Sequence, residues 1–413
     1  MKKLGGKFWA AMLIFGLMGQ VAWVVENMYF NVFIYKMFNA SPGDISAMVM
    51  ASAVTAALTT IIMGAVSDRL GRRKAFMSVG YLIWGISIIS FAYIKSVMLT
   101  IVMDCVMTFF GSTANDAAYN AWLTDRGDET NRGRIEGVNS MMPLLAILIV
   151  FGGFMSFNLD TAEAWTKIYY IIGILTTLIG ISGFFLIDER DGLKGSRENL
   201  GEVLLYSFRP SVCAENKRLY IRLLAFAVFG ISIQIFMPYL ILYYEKGLGL
   251  DDYVLIMAPA ILLAALATFF YGRLYDTKGY RFASVPCFLM LIAGYVILYF
   301  CKETAPVFVG SLLMMSGYLC GMSVFGAAIR DDIPDGLSGR FQGVRIIGQV
   351  FIPGLIGPAI GAWVLRNAEQ VLNSDGTYSF LPNEKIFLAA IAPIALLLAA
   401  QLLVRDRNPE AKA

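Results

Sequence analysis

Two acidic residues stand in stretches that otherwise avoid charge: Glu26 within "GQVAWVVENMYFNVF" and Asp116 within "GSTANDAAYNAW". A carboxyl group short of water has few chemical uses. It can take up a proton and give it back, or hold a cation that stands in for the proton. Histidine, the usual proton carrier near neutral pH, is absent from the chain, so any such work falls to the carboxylates. Their polar companions are spaced to share faces. Gln20, Trp23, Glu26, Asn27 and Asn31 fall within an arc of roughly 140° on a helix, and Ser112, Asn115, Asp116, Tyr119 and Asn120 fall on a similar one. Further along, Gln234 stands alone, while Gln342, Arg345 and Gln349 share a face at i, i+3, i+7. Arg345 has two readings, pairing with Asp116 or Glu26 or reaching back to an interface with its long stem. Asp104 is expected to reach an interface and to play a structural part. Tyr239, Tyr243, Tyr318 and Trp122 offer rings that stack on a solute or pack between helices.

The elements that hold these residues are set by composition. Of 413 residues, 58 % are hydrophobic and 15 % charged, with a mean hydropathy of +0.66. Soluble domains run nearer ~25 % charged, so the solvent for much of this surface is lipid. Twelve apolar runs are long enough to span a bilayer: 8–35, 44–67, 75–94, 97–124, 135–158, 167–187, 219–244, 252–275, 282–300, 305–329, 338–365 and 384–404. About three quarters of the 33 lysines and arginines sit in alternate loops and at the two ends. The positive-inside rule then places both termini in the cytoplasm of a plasma (inner) membrane protein. The basic start "MKKLGGK" leads into a run too long for a cleaved signal, and it is read as the first span, retained. An intramembrane charge costs at least ~2.5–3.5 kcal/mol, which is what makes Glu26 and Asp116 candidates for function.

The densest charge lies in a turn, "GAVSDRLGRRK" (64–74), echoed by "GRLYDTKGYRF" (272–282). Gly64, Asp68, Gly71 and Arg73 recur as Gly272, Asp276, Gly279 and Arg281 at one offset of 208 residues. "RGRIEGV" (132–138) recurs as "SGRFQGV" (338–344) at 206. Two matches in corresponding loops indicate parallel internal repeats, and the polar stretch 188–218 divides them. The expected organisation is an all-α integral membrane protein: a six-helix bundle 1–187, a linker 188–218 and a second bundle 219–413.

The 64–73 turn resembles the signature loop of the major facilitator superfamily, and the echo at 272–281 lies where that family's second half places it. The resemblance implies two pseudo-symmetric six-helix bundles around a cavity lined by spans one, four, seven and ten, exposed to either side in turn. Solute contacts would come from Trp23, Glu26, Asn27, Asn31, Asp116, Asn120, Gln234, Arg345 and Gln349, with Glu26 and Asp116 coupling movement to a proton or another cation. Gly64, Asp68, Gly71, Arg73, Asp125, Asp276, Gly279 and Arg281 would form a conformational latch, with Asp68 against the N-terminus of span eleven and Arg73 reaching Asp125. Acidic residues on spans one and four also look like the cation-coupled sugar symporters of the glycoside–pentoside–hexuronide branch. Span two carries no acidic residue, however, which puts that branch's sodium site in doubt. The span-five motif of proton-coupled drug antiporters is missing.

Other classes fit poorly. The chain has no P-loop, no HExxH and no GxSxG, and nothing nucleophilic is paired with a base, so an enzyme is not expected. The linker is too short for an ATP-binding domain. Cys105, Cys213, Cys287, Cys301 and Cys320 lack metal spacing and sit mostly in apolar runs. The expectation is therefore a secondary active transporter of a small polar solute, with sugar-like uptake slightly preferred. A drug or metabolite efflux antiporter, an uncoupled facilitator and a lipid flippase of the same fold are the alternatives. Its partners would be the solute, a proton or other cation and the lipid bilayer. No cofactor, metal or nucleic acid is expected, and the protein is expected to be a monomer.

Overall fold

The structure is a computed structural model that describes residues 5–126, 132–188, 202, 205–334, 338–373 and 376–403. Seven long helices come first: α1 (Gly6–Phe38), α2 (Pro42–Leu70), α3 (Lys74–Tyr93), α4 (Val97–Arg126), α5 (Arg132–Phe154), α6 (Ala162–Leu186) and α7 (Lys217–Gly247). A helical stretch of 48 residues, Tyr253–Phe300, follows. After it come α10 (Thr304–Asp332), α11 (338–365) and α12 (Lys385–Leu403).

The 48-residue stretch is two spans. Gly279 has φ 77° and ψ 179°, outside any helix, and only glycine takes that φ without strain. The Tyr271 hydroxyl donates to the Ala283 carbonyl at 2.7 Å. Twelve residues of unbroken helix would rise ~18 Å, far beyond the reach of a tyrosine, so the chain must reverse at Gly279. The halves of the stretch are α8 (253–278) and α9 (280–300), so the described residues hold twelve helices long and apolar enough to cross a membrane, six in each half. Gly71, at φ 61°, ends α2 at the corresponding turn of the first repeat.

Local signals account for other boundaries. Ser41 and Asp44 form a reciprocal capping box at the start of α2, with Pro42 in its first turn. Asn39, the non-glycine residue with positive φ (50°), closes α1. Helix pairs approach closely where side chains vanish: a Cβ on Gly85 would lie 2.5 Å from the Gly173 carbonyl oxygen, joining α3 to α6. Between the halves, α2 runs along α11, and a Cβ on Gly354 would lie 2.4 Å from that of Ala53. The outer faces carry exposed Leu178, Leu266 and Phe269, a surface suited to acyl chains.

Four of the long helices contain π-helical turns among the described residues: Val25–Tyr29 in α1, Ser112–Tyr119 in α4, Tyr243–Gly247 in α7 and Ile347–Phe351 in α11. Three of them hold a polar residue singled out by the chemistry, Glu26, Asp116 and Gln349, and the fourth holds Glu245. Such turns are rare, widen the helix by one residue and re-aim its side chains. Beyond α11, two short strands, β1 (Gln370–Leu372) and β2 (Tyr378–Phe380), pair antiparallel with Gln370 opposite Phe380.

Candidate functional site

Glu26 is enclosed, 6 % exposed, where α1, α2 and α4 meet. Its Oε1 accepts from Ser52 Oγ of α2 at 2.6 Å and from Thr108 Oγ1 of α4 at 2.9 Å, and the two hydroxyls are 2.9 Å apart. Its Oε2 has no partner. One turn along α4 from Thr108 lies Asp104, only 1 % exposed, with Oδ1 also unpartnered. This corrects the expectation that Asp104 reaches an interface: it points inward, with Ser52 between it and Glu26. Snorkelling would have needed a path to headgroups, and the packing of α4 against α2 closes that path.

Asp116 sits further along α4 against Ser112 and Trp23. Trp23 Nε1 and Ser112 Oγ are buried without other hydrogen-bond partners, so Asp116 is the group left for both donors. The Trp23 ring packs 5.0 Å from that of Trp84. That approach depends on Gly111, where a Cβ would come within 2.8 Å of Trp84 and 3.1 Å of Trp23. Asn27 and Asn120 are exposed, and Asn120 donates to the Asp116 carbonyl at 3.1 Å. Asn31 is fully enclosed and tied back to the Asn27 carbonyl at 3.1 Å. Asn115 and Tyr119 are structural in their contacts: Asn115 donates to Tyr81 at 2.7 Å and Tyr119 to the Met12 carbonyl at 3.0 Å.

From the second half, Gln234, Tyr318, Arg345 and Gln349 are half-buried. Gln234 backs onto Gly357, where a Cβ would lie 2.4 Å from its own, which fixes α7 against α11. The side chain of Gln342 lies outside the described residues. An apolar groove of about 400 Å³ lies elsewhere: it is lined by Ile14, Leu17, Phe154 and Ile171 among other apolar residues of α1, α5 and α6. Such a lining suits an acyl chain rather than a polar solute.

At the end bearing the 64–74 turn, Arg73 is 5 % exposed and fully engaged. Its Nε donates to Asp125 at 2.9 Å, Nη1 to Ser67 at 2.6 Å and Nη2 to Asp68 at 2.5 Å. The structure gives Asp68 a partner inside its own turn; the residues just before α11, against which it was expected to sit, lie outside the described residues. Gly64 is half-buried near Ala117. Asp276 is exposed and Arg281 half-buried in the second half. Also in the second half, Asp332 meets Arg222 at 2.7 Å and Arg218 at 3.2 Å. The sequence held the signal, because Asp332 lies 207 residues after Asp125, between the two repeat offsets.

The opposite end was not foreseen. Lys36 of α1 reaches Glu245 of α7 at 2.5 Å and Asp160, between α5 and α6, at 3.0 Å, and Lys246 joins Glu245 at 3.0 Å. The Tyr35 hydroxyl donates to the Phe380 carbonyl at 2.6 Å and Tyr239 to that of Pro42 at 2.9 Å. Asn39 donates to Thr377 at 2.9 Å and accepts from Ser379 at 2.9 Å and Asn373 at 3.1 Å. The bonds of Lys36 to Glu245, of Tyr35, of Tyr239 and of Asn39 join one half to the other at this end.

Residues 8–358 match the Major Facilitator Superfamily. The chain belongs to that superfamily. Similar major facilitators include sugar efflux transporter B of Salmonella typhimurium (strain LT2), 20 % identical over 177 residues, and sugar efflux transporter A of Dickeya chrysanthemi, 21 % over 178. Each match takes in 43 % of this chain and 45 % of the relative, so the chain spans less than half the length of either. Among solved structures, the nucleoside transporter NupG superposes with a TM-score of 0.74 at 12 % identity, covering 95 % of this chain and 98 % of that one. A bacterial homolog to the human lysosomal transporter Spinster gives 0.69 at 16 %, covering 97 % and 94 %. These likenesses show the fold, a multi-pass major facilitator architecture.

Proposed function

We propose that this protein moves a small polar, sugar-like solute across the plasma (inner) membrane by alternating access, coupled to a proton or other cation. The observation that carries this reading is the polar face built from α1 and α4. It holds Glu26 and Asp116 in π-helical turns, an indole beside Asp116, the exposed amide of Asn27 deep within α1 and that of Asn120 less than two turns from the end of α4. Lipid would not support those amides, so a water-filled chamber between the halves does. An indole ring beside a carboxyl and amide groups suits a compound with apolar C–H faces and many hydroxyls. Gln234, Arg345 and Gln349 complete the contacts from α7 and α11, while the enclosed Asn31 supports Asn27 through its carbonyl.

In this reading both termini are cytoplasmic, the halves are 1–187 and 219–413 joined by 188–218, and the protein acts as a monomer. The far end is then the outer gate, shut here, and the chamber is served from the cytoplasm. The Arg73–Asp125–Asp68 and Arg222–Asp332 groups stiffen the inner ends of the halves, and together with Gly64, Gly71, Asp276, Gly279 and Arg281 they act as the cytoplasmic latch. The sugar efflux relatives favour a second reading in which the same solute class is exported.

The test begins with sugars, nucleosides and polyols screened for stabilising the purified protein. Flux of the best stabiliser into proteoliposomes is then measured with and without a pH gradient. Accumulation driven by an inward proton gradient supports coupled uptake, exchange for protons in the opposite sense supports efflux, and downhill flux alone removes coupling. Asp116→Asn is expected to abolish accumulation while sparing exchange. Unchanged accumulation would take Asp116 out of the mechanism.

A further inference from the structure

The enclosed groups around Glu26 leave an imbalance that the proposed transport function does not by itself explain. Both hydroxyl donors, Ser52 and Thr108, converge on one oxygen of Glu26, Oε1. The other, Oε2, is buried with no donor, and so is Asp104 Oδ1. Each buried polar oxygen without a partner carries a desolvation cost of ~1–3 kcal/mol. Two carboxylates enclosed together add mutual repulsion that water does not screen. The titratable groups given as acting on the pair or acted on by it, Asp116 and Cys105 of α4 and Tyr169 of α6, carry no positive charge. Ser52 of α2 and Thr108 of α4 are neutral. Lys36, on the same helix, is ten residues away and spent on Glu245 and Asp160.

We propose that Glu26 and Asp104 act as one titrating unit that holds a single proton between them, the proton whose release and uptake accompany solute movement. This rests on the coupled-transport reading above and adds Asp104, with Ser52 as a positioning residue, to its machinery. One proton bound by either carboxyl gives one of the two unpartnered oxygens a hydrogen. It also removes one of the two negative charges. Oε1 remains the acceptor that Ser52 and Thr108 require. Opening to the aqueous chamber lets the proton leave as a hydrated ion and leaves two carboxylates, a state that favours reprotonation before closure. A proton fits better than a metal ion: among the described residues no three acidic or cysteine side chains converge where one would be held, and the two hydroxyls are already donating.

Infrared difference spectroscopy of the reconstituted protein across an alkaline pH jump tests this without a solute. Wild type is expected to lose one protonated-carboxyl C=O band. In a shared-proton unit, Glu26→Gln and Asp104→Asn each delete or displace that same band, and Ser52→Ala, a mild change, shifts its frequency while Ser52→Thr restores it. If instead the two variants remove separate components that add up to the wild-type spectrum, or Asp104→Asn leaves it unchanged, the unit does not exist. If sodium added at constant pH produces the same band loss, the site binds that ion and the proposal falls. Should the band behave as expected while no solute accumulates under a pH gradient, the shared proton stands and the coupled-transport reading fails.

Discussion

At the scale of single residues, a buried charge is tolerable only when its geometry is filled. Arg73 meets that condition with three separate acceptors at 2.5–2.9 Å, a fork that lysine's single ammonium does not reproduce. The Asp68 carboxylate is 56 % exposed and that of Asp125 only 20 %. Solvent screening therefore leaves little to the first pair and most to the second. Arg73→Lys is expected to lower the stability of the purified protein by ~1–2 kcal/mol, Asp125→Asn to reproduce most of that loss and Asp68→Asn little of it, read as melting temperatures. Equal losses from the two aspartates would overturn the ranking. Glu26 and Asp116 were legible in the sequence because a charge amid apolar residues stands out whatever the fold. Asp104 was not: one acidic residue two turns from a helix end reads the same whether it bends to an interface or inward. Ser52 and Thr108 were invisible for a different reason, since hydroxyls in membrane helices commonly satisfy themselves on the preceding turn.

At the scale of elements, spacing revealed the helices but not their internal defects. The twelve spans follow from apolar run length, and the break between α8 and α9 from the repeated glycine. The π-helical turns leave no trace in composition, because one extra residue in a turn alters neither hydropathy nor charge. Their effect is to aim Glu26 and Asp116 into the space between α1 and α4, and Gly111 sets the width of that space. Gly111→Val is expected to force Trp23 and Trp84 apart, weakening solute binding at least about tenfold (~1.4 kcal/mol) with folding retained. Calorimetric titration with the stabilising solute measures it, and an unchanged Kd would mean that Trp23 does not contact the solute. The loop before α6 makes a contrasting case. Burial works against the charge of Asp160, but Lys36 and Lys246 outweigh it and hold the carboxyl below its usual range. A carboxyl depressed in the folded state contributes stability that is present above ~pH 4 and lost as pH falls through the folded value. Spin labels at Gly43 and Val371 should therefore report an unchanged separation from neutral pH to about 5, widening only below about 4. Widening between pH 7 and 6 would assign control of this end to another group.

At the scale of the molecule, the duplication was legible because two loops repeat at nearly the same offset. The closure of the far end was not. Its bonds join residues more than three hundred positions apart, and Lys36 and Lys246 looked like ordinary loop charges. Alternating access requires that closure to be strong enough to exclude solvent yet reversible, and hydrogen bonds of ~0.5–1.5 kcal/mol each meet both demands. Asn39 is where they concentrate, linking the α1–α2 turn to three side chains of the β1–β2 hairpin. Asn39→Ala should release the hairpin without unfolding either half, because the residue packs in neither core. Gly43–Val371 spin-label distances are then expected to show a second, longer population, and solute exchange to quicken if opening this end limits turnover. The opposite manipulation tests the same joint. Cysteines replacing Asn39 and Ser379, joined by a short bifunctional reagent, should stop flux entirely, and cleaving the reagent should restore it. Flux persisting through the cross-link would show that the solute does not pass this end, and the gate would have to be placed elsewhere.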